Sequence, residues 1–395
     1  MSASLIGQVD TGRLYRHVLR LEGERHPIRS PRQLAAAADA IAAELTSYGM
    51  DVRFHEFQAP GFPATFRNVE GWIGDPGAPA AVLMNHYDTY YGTTGANDNA
   101  AAVAVMLEAA RILATLPHPP AIRFLSFTLE EGNPAQQSRL WADAQARGLM
   151  DSQWRYTSYE TSRLLTEHRN RSAARYLNGT SLAAVSAQVT DEMQAELPEP
   201  ILAHLRVQED AYAGVDFLPG SFGHLGAWAW MDDAVASKKP LLFGICLDEC
   251  GRTSQQEGSQ ELFPGMSWDM LDLYGVDTER RIGDFAMLMS NGNSGHIARA
   301  FCEHSRRDDI GLKYAHWHAA MNYAELRRNV PQAFGSDYSA FWREEIPAMF
   351  AFDTAGMRKP NYGHTMADTI DRLDFDFIRR IAQACIATLA DSSLR

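Results

Sequence analysis

"AAVLMNHYDTYYGTTGANDNAAAV" occupies residues 80–103 of the chain. It opens as a short apolar run, breaks off at His86 and Asp88, crosses a glycine-containing loop and resumes as an alanine-rich stretch. An apolar run that stops so abruptly at polar residues reads as a buried strand, and the residues from 100 to 116 carry helical spacing. Strand, loop and helix in that order form a unit of an α/β protein. Polar groups at the end of such a strand stand where α/β folds place their chemistry.

The same grammar extends in both directions. Residues 32–48 are rich in alanine and leucine and end at Gly49, a helix stop. Residues 52–57 and 66–73 read as strands, and "AIRFLSFTL" (121–129) as another. From 133 to about 217 no strand pattern occurs, only helical segments with polar faces. Strand and helix signals return with "PLLFGICLDE" (240–249), "DFAMLMSNGNS" (284–294), a helix over 295–304, "AMFAFD" (348–353) and a closing helix over 375–389. The predicted fold is a three-layer α/β/α sandwich with a mixed central sheet. Residues 1–132 and 218–395 are expected to form one domain. Residues 133–217 are expected to be a helical insertion, acting as a lid, a dimerisation element or a plain decoration.

Composition narrows the function. Of 395 residues, 46% are hydrophobic and 22% charged, as in ordinary globular proteins, and the net charge is −13. That charge argues against a nucleic-acid partner. No run approaches the roughly 18 apolar residues of a membrane span. The start of the chain lacks the basic and apolar segments of a signal peptide, so a cytoplasmic location is expected. Cys246, Cys250, Cys302 and Cys385 show no zinc or disulfide spacing and read as buried thiols. The sequon at Asn178 means little without secretion.

Several strand signals end in groups that bind metals or move protons. "AAVLMN" runs into His86 and Asp88, "FLSFTL" into Glu130 and Glu131, and "LLFGICL" into Asp248 and Glu249. "AMFAFD" leads to a loop holding His364. Asp98 precedes the helix at residue 100 and could simply cap it. Each fragment alone is ordinary surface chemistry; their ordered recurrence at strand ends carries the signal.

The set "NHYDT", "GANDNAAAV", "FTLEEG", "CLDECG", "GSDYSAF" with "IPAMF", and "HTMADT" before "IDRLD" resembles the co-catalytic zinc aminopeptidase family. That family also contains glutamate carboxypeptidases and transferrin-receptor-like members. The motifs span roughly residues 80–132 and 218–375. The resemblance implies His86 and Asp248 as ligands of one zinc, and Glu131 and His364 as ligands of a second. It implies Asp98 as the bridging carboxylate, Asp88 as the acid that orients His86, and Glu130 as general base. It also implies a cis peptide between Asp98 and Asn99. The chemistry agrees. Three carboxylates offset most of the charge of two zinc ions in a buried place, and His, Asp and Glu without Cys suit catalytic zinc. Mn or Co would fit the same donors. Adjacent residues on extended backbone point different ways, so Glu131 can face metal while Glu130 faces water.

The chain departs from the family at several points. Tyr338 stands where the family has a His in "SDH". Gly363 stands where some relatives carry an oxyanion-binding Tyr, leaving Tyr362 or Tyr338 as substitutes. Glu249 competes with Asp248 as ligand, and Asp248 is preferred. "HWH" (316–318) has metal-like spacing but suits an edge strand or cleft wall better. "SNGNSG" (290–295) lacks the lysine and spacing of a phosphate loop. Arg358 and Lys359 read as solvated, with receipt of a substrate carboxylate as the alternative.

The expected activity is a dinuclear zinc metallopeptidase, an aminopeptidase or dipeptidase acting on a small peptide or amino-acid amide. The rivals are a carboxypeptidase or N-acyl amino acid amidohydrolase on the same site, a one-zinc glutaminyl cyclase, and a non-catalytic receptor-like binding protein. The full ligand set with Glu130 disfavours the last two. Homo-oligomer formation is left open.

Overall fold

The structure, a computed structural model, describes residues 3–176, 181–214 and 222–395. Asn178 and residue 217, where the expected insertion ends, lie outside the described residues.

Among the described residues nine strands form one sheet: β1 (Asp51–Gln58), β2 (Thr65–Ile73), β3 (Ala80–His86), β4 (Ile122–Phe127), β5 (Leu241–Leu247), β6 (Asp272–Tyr274), β7 (Ala286–Ser290), β8 (Tyr314–His318) and β9 (Ala348–Phe352). Their order is β1-β2-β4-β3-β5-β9-β7-β8-β6. The central strands β4, β3, β5 and β9 are parallel. Antiparallel pairs flank them, β1 with β2 and β2 with β4 on one side and β9 with β7 on the other. The sheet is therefore mixed, as predicted.

The alternation of side chains along each strand builds two cores. On β3, Ala81 and Leu83 face one apolar layer, and Val82 and Met84 face the other. The first layer receives the helices Thr11–Leu21, Pro31–Ser47, Ala102–Leu113 and Phe375–Leu389. The second receives Leu225–Ala236 and Tyr338–Arg343. β3 is buried along its whole length, which explains why it reads as an unbroken apolar run rather than an alternating one.

Between residues 133 and 217 the described elements are helices: Pro134–Ala146, Tyr159–Tyr176, Leu182–Met193 and Glu199–Tyr212. They share a third apolar cluster containing Trp141, Leu164, Val189, Met193 and Leu205. Trp141 packs against His26 and Tyr91, both at 5.3 Å between ring centres, and so joins this cluster to the sandwich.

Because the four central strands run parallel, their carboxyl ends meet along one edge. His86 ends β3, Glu130 and Glu131 follow β4, Asp248 follows β5 and Asp353 follows β9. The residues picked out at separate strand ends in the sequence are thereby gathered in space.

A buried ion group ties the sheet to the helix Leu225–Ala236 behind that edge. Glu70 on β2 accepts from Arg123 Nη1 at 2.6 Å, Arg53 Nε at 2.8 Å and Trp230 Nε1 at 3.1 Å. Glu70→Ala strands the buried Arg123 guanidinium and is expected to lower unfolding free energy by about 3–5 kcal/mol. Denaturant titration checks this; a loss near zero would mean that the cations are solvated in the native state.

Candidate metal centre

Each loop at the strand edge is fixed by the next. Asp88 accepts from the backbone N–H groups of Glu130 and Glu131, at 3.3 and 3.2 Å, so the β3 and β4 ends are locked together. On the far side, the segment 224–226 runs along 128–130: His224 N donates to Glu130 O at 2.9 Å and Gly226 N to Thr128 O at 3.1 Å. Only glycine permits this approach at 226, where a Cβ would stand 2.2 Å from Thr128 O. The segment brings the His224 imidazole against Glu130, Nε2 lying 3.0 Å from Oε1.

Asp98 sits in a π-helical turn, Ala96–Ala101, at φ −112° and ψ 88°, outside helical values. The Asp98–Asn99 peptide is cis, as the resemblance implied. Asp98 does not cap the following helix, which has no side-chain cap. Asp368 holds the turn, its carboxylate accepting from Asn97 N at 2.9 Å and Asp98 N at 3.1 Å. Beneath it the buried Arg25 donates to the carbonyls of Tyr87, Gly23 and Gly95 at 2.7–2.9 Å.

These supports converge on a close grouping. Asp98 Oδ1 lies 3.4 Å from His86 Nε2, which is also 3.2 Å from Asp248 Oδ1. Asp98 Oδ2 lies 3.1 Å from His364 Nε2, which is 3.2 Å from Glu131 Oε2. The structure thus brings all five expected ligand residues together as two groups that could each hold a metal ion, His86-Asp98-Asp248 and Asp98-Glu131-His364, with Asp98 common to both. Asp88 Oδ1 lies behind His86, 3.5 Å from Nδ1. Glu130 Oε2 is 3.9 Å from His86 Nε2. His364 enters from a loop at φ 56°, with its ring stacked on Tyr90 at 4.3 Å.

The electrostatics of the grouping fit divalent cations. Burial, with Asp98 beside it, pushes Glu131 up to about 8. Burial also lifts Glu130 well above the carboxylate range, with His86 opposing and Asp248 adding to the rise. His364 titrates well above the usual range, because Glu131 and Asp98 outweigh its burial. Glu131 Oε1 is buried with no hydrogen-bond partner. Nitrogen and oxygen donors with unmet negative charge are what zinc or a similar ion would satisfy.

Of the remaining expectations, those for Arg358, Tyr338 and an edge position of "HWH" need correction, while those for "SNGNSG", Cys246 and Cys250 stand. Arg358 is not solvated. It is fully buried, and Nε donates to Gln260 Oε1 at 3.2 Å, Nη2 to Phe285 O at 2.7 Å and Nη1 to Arg252 O. With those donors committed, it does not receive a substrate carboxylate. Tyr338 is buried and its hydroxyl donates to Ala333 O, so it is not free to hold an oxyanion. The Tyr362 ring packs against the guanidinium groups of Arg252 and Arg372, at 4.7 and 4.1 Å. The "HWH" strand β8 is not at the edge, because β6 pairs outside it. His316 and His318 both approach Ser290 Oγ, at 2.8 and 2.9 Å. In "SNGNSG" Asn291 N donates to Ser294 Oγ, closing an ordinary turn. Cys246 and Cys250 are buried, and burial pushes both thiols well up, so they pack rather than ligate.

Sequence reasoning missed Asp368, Arg25, His224 and Asp337. Asp368 lies within the quoted "HTMADT", the signal that could have found it. Asp337, within "GSDYSAF", is buried with both carboxylate oxygens unpartnered. Arg25 and His224 carry no motif.

Beside the grouping opens a cavity of about 990 Å³. Asp98, Glu130, Glu131, Asp248, Glu249 and His364 form its polar end. Phe263, Met266, Met289, Trp317, Phe334 and Phe352 are among its apolar walls. No Lys or Arg lines it among the described residues.

The sequence profile of peptidase family M28 matches residues 69–172 and 284–389, more than half of the chain. A segment of 46 residues is 48% identical to aminopeptidase YwaD of Bacillus subtilis; it covers 12% of this chain and only 10% of that relative. Among solved structures, the LapA aminopeptidase of Legionella pneumophila is 13% identical, with a TM-score of 0.56, covering 98% of this chain and 72% of that one. The Porphyromonas gingivalis glutaminyl cyclase is 16% identical, with a TM-score of 0.55, covering 96% and 98%. A Zn-dependent exopeptidase from Parabacteroides distasonis is 14% identical, with a TM-score of 0.55, covering 97% and 98%. At these identities the structures share the fold.

Stripped of metal by a chelator, the protein is expected to lose stability as pH rises from about 4.5 to about 8. Over that window the unfolded chain releases the Glu131 proton while the folded state keeps it, so rising pH favours unfolding. Zinc loading should remove or reverse this trend, because a bound cation holds the carboxylate ionised. Thermal midpoints across that range check it; a metal-free midpoint that rises with pH would show that the acids are satisfied without cations.

Proposed function

The chain belongs to peptidase family M28, and from that premise we propose that it is a dinuclear zinc hydrolase of peptide bonds, acting at the free amino end of small peptides. One observation carries the proposal: the two oxygens of Asp98 are divided between two His-carboxylate groups. His86, Asp98 and Asp248 would hold one ion, and Asp98, Glu131 and His364 the other. Mn or Co would suit the same donors. Bound there, the ions would supply Lewis acidity to the scissile carbonyl and to the attacking water.

The protein's own groups do the rest. Glu130 is the general base; it takes a proton from the water and returns it to the leaving amine. His224 on one oxygen and the Asp88 contact to its backbone hold it in place. Asp88 also stands behind His86, the usual place for a group that orients a metal-binding imidazole.

The cavity favours an aminopeptidase or dipeptidase over the carboxypeptidase and deacylase alternatives. Those would need a cation for the substrate carboxylate, and none lines the wall among the described residues. A glutaminyl cyclase shares the fold, but the presence of donors for a second ion supports hydrolysis. Gly132 and Phe222, which flank residues 133–217, line the cavity, while no described residue within that segment does.

Zinc-loaded protein is expected to cleave dipeptides with a free amine and to leave their N-acetylated forms intact. Preferential turnover of the acetylated forms would contradict the assignment. Glu130→Gln should lower kcat by about 10²-fold or more while retaining zinc. Unchanged turnover in that variant would remove Glu130 from the mechanism.

A further inference from the structure

Glu249 is the acid at the polar end of the cavity that the reaction above leaves without a task. It follows Asp248, at φ 39°. Its carbonyl is tied to the next strand end by Asp353 N at 2.7 Å. The residue is only 8% exposed, yet it lines the cavity together with Asp98, Glu130 and His364. Its Oε2 is buried and has no hydrogen-bond partner. Gly363 makes room for the carboxylate: a Cβ there would stand 2.7 Å from Glu249 Oε1.

A buried carboxylate oxygen without a donor is costly, and such groups are rare unless a ligand completes them. Three sources of positive charge are conceivable. A metal ion is disfavoured, because Glu249 is not in either group of atoms close enough to share one. The protein's own guanidinium groups are committed elsewhere: Arg358 as described, and Arg252 Nη2 to Pro360 O. The donor must then arrive with the ligand. It must be cationic or rich in N–H, and it must sit beside the atoms that would polarise the scissile carbonyl. In a peptide, the α-ammonium is one carbon from that carbonyl.

We propose that Glu249 is the receptor for the α-ammonium of the substrate's first residue, with Gly363 as the gap that admits its carboxylate. This rests on the hydrolase reading and makes the free amino end a requirement imposed by one side chain. A substrate without the ammonium would leave the buried carboxylate unpaired, and the site would reject it on that ground.

L-leucine and 4-methylpentanoate differ only in the α-ammonium, so their affinities for zinc-loaded protein, measured by calorimetry, isolate this contact. Glu249→Gln should weaken leucine about 10- to 100-fold, as expected for loss of a charge-assisted hydrogen bond, and leave 4-methylpentanoate unchanged. With a free-amine dipeptide, KM should rise more than kcat falls. Gly363→Ala, which crowds the same carboxylate, should give the same selective loss. Zinc content should stay at the wild-type value in both variants. Equal weakening of the two ligands, no weakening, or loss of zinc in Glu249→Gln would each overturn the proposal. If the wild type cleaves no peptide, the hydrolase reading fails, while the paired affinities still decide the role of Glu249.

Discussion

Carboxylates crowded at the carboxyl edge of four parallel strands repel one another in a place that water barely reaches. Asp88, Asp98, Glu130, Glu249, Asp337, Asp353 and Asp368 are all buried there. Burial penalises the charge of Glu130, Glu249, Asp337 and Asp368, and neighbouring carboxylates add to the penalty. The protein answers part of it with backbone N–H groups, as at Asp88 and Asp368, and with Arg25, whose guanidinium burial lowers to about 10 against the pull of Asp98 and Asp368. What remains negative faces the cavity. The arrangement has two groups of donors that could each hold a divalent cation, and the backbone and Arg25 contacts around it keep the acids in place.

Much of this was legible in the sequence, for a physical reason. A strand buried on both faces must be apolar throughout, so the point where β3, β4 or β5 ends is visible as a sudden change of composition. His86, Glu130, Glu131 and Asp248 stand at those points. Asp98 and His364 lie in segments with no readable periodicity; their places after strand signals drew notice, and the resemblance supplied their roles. The cis peptide at Asp98 likewise came from the family pattern.

The rest was hidden because it arises from contact between distant parts of the chain. His224 meets Glu130 only because the chain returns along the β4 end after the helices that intervene. Arg25 supports the loops of Gly23, Tyr87 and Gly95 through carbonyl groups, which any sequence provides. Arg358 was misread because charge in a loop reads as solvated; here it is swallowed between Gln260 and the Phe285 and Arg252 carbonyls. Tyr338 was misread because a phenol near a site suggests chemistry, whereas its hydroxyl closes a local turn at Ala333.

In the proposed site Asp98 would hold two ions, one on each oxygen. Anomalous diffraction at the zinc edge, from crystals grown with zinc, tests it most directly. Two peaks flanking Asp98 are expected, one beside His86 and Asp248 and the other beside Glu131 and His364. A single peak at full zinc loading, or a peak that Asp98 does not touch, would contradict it.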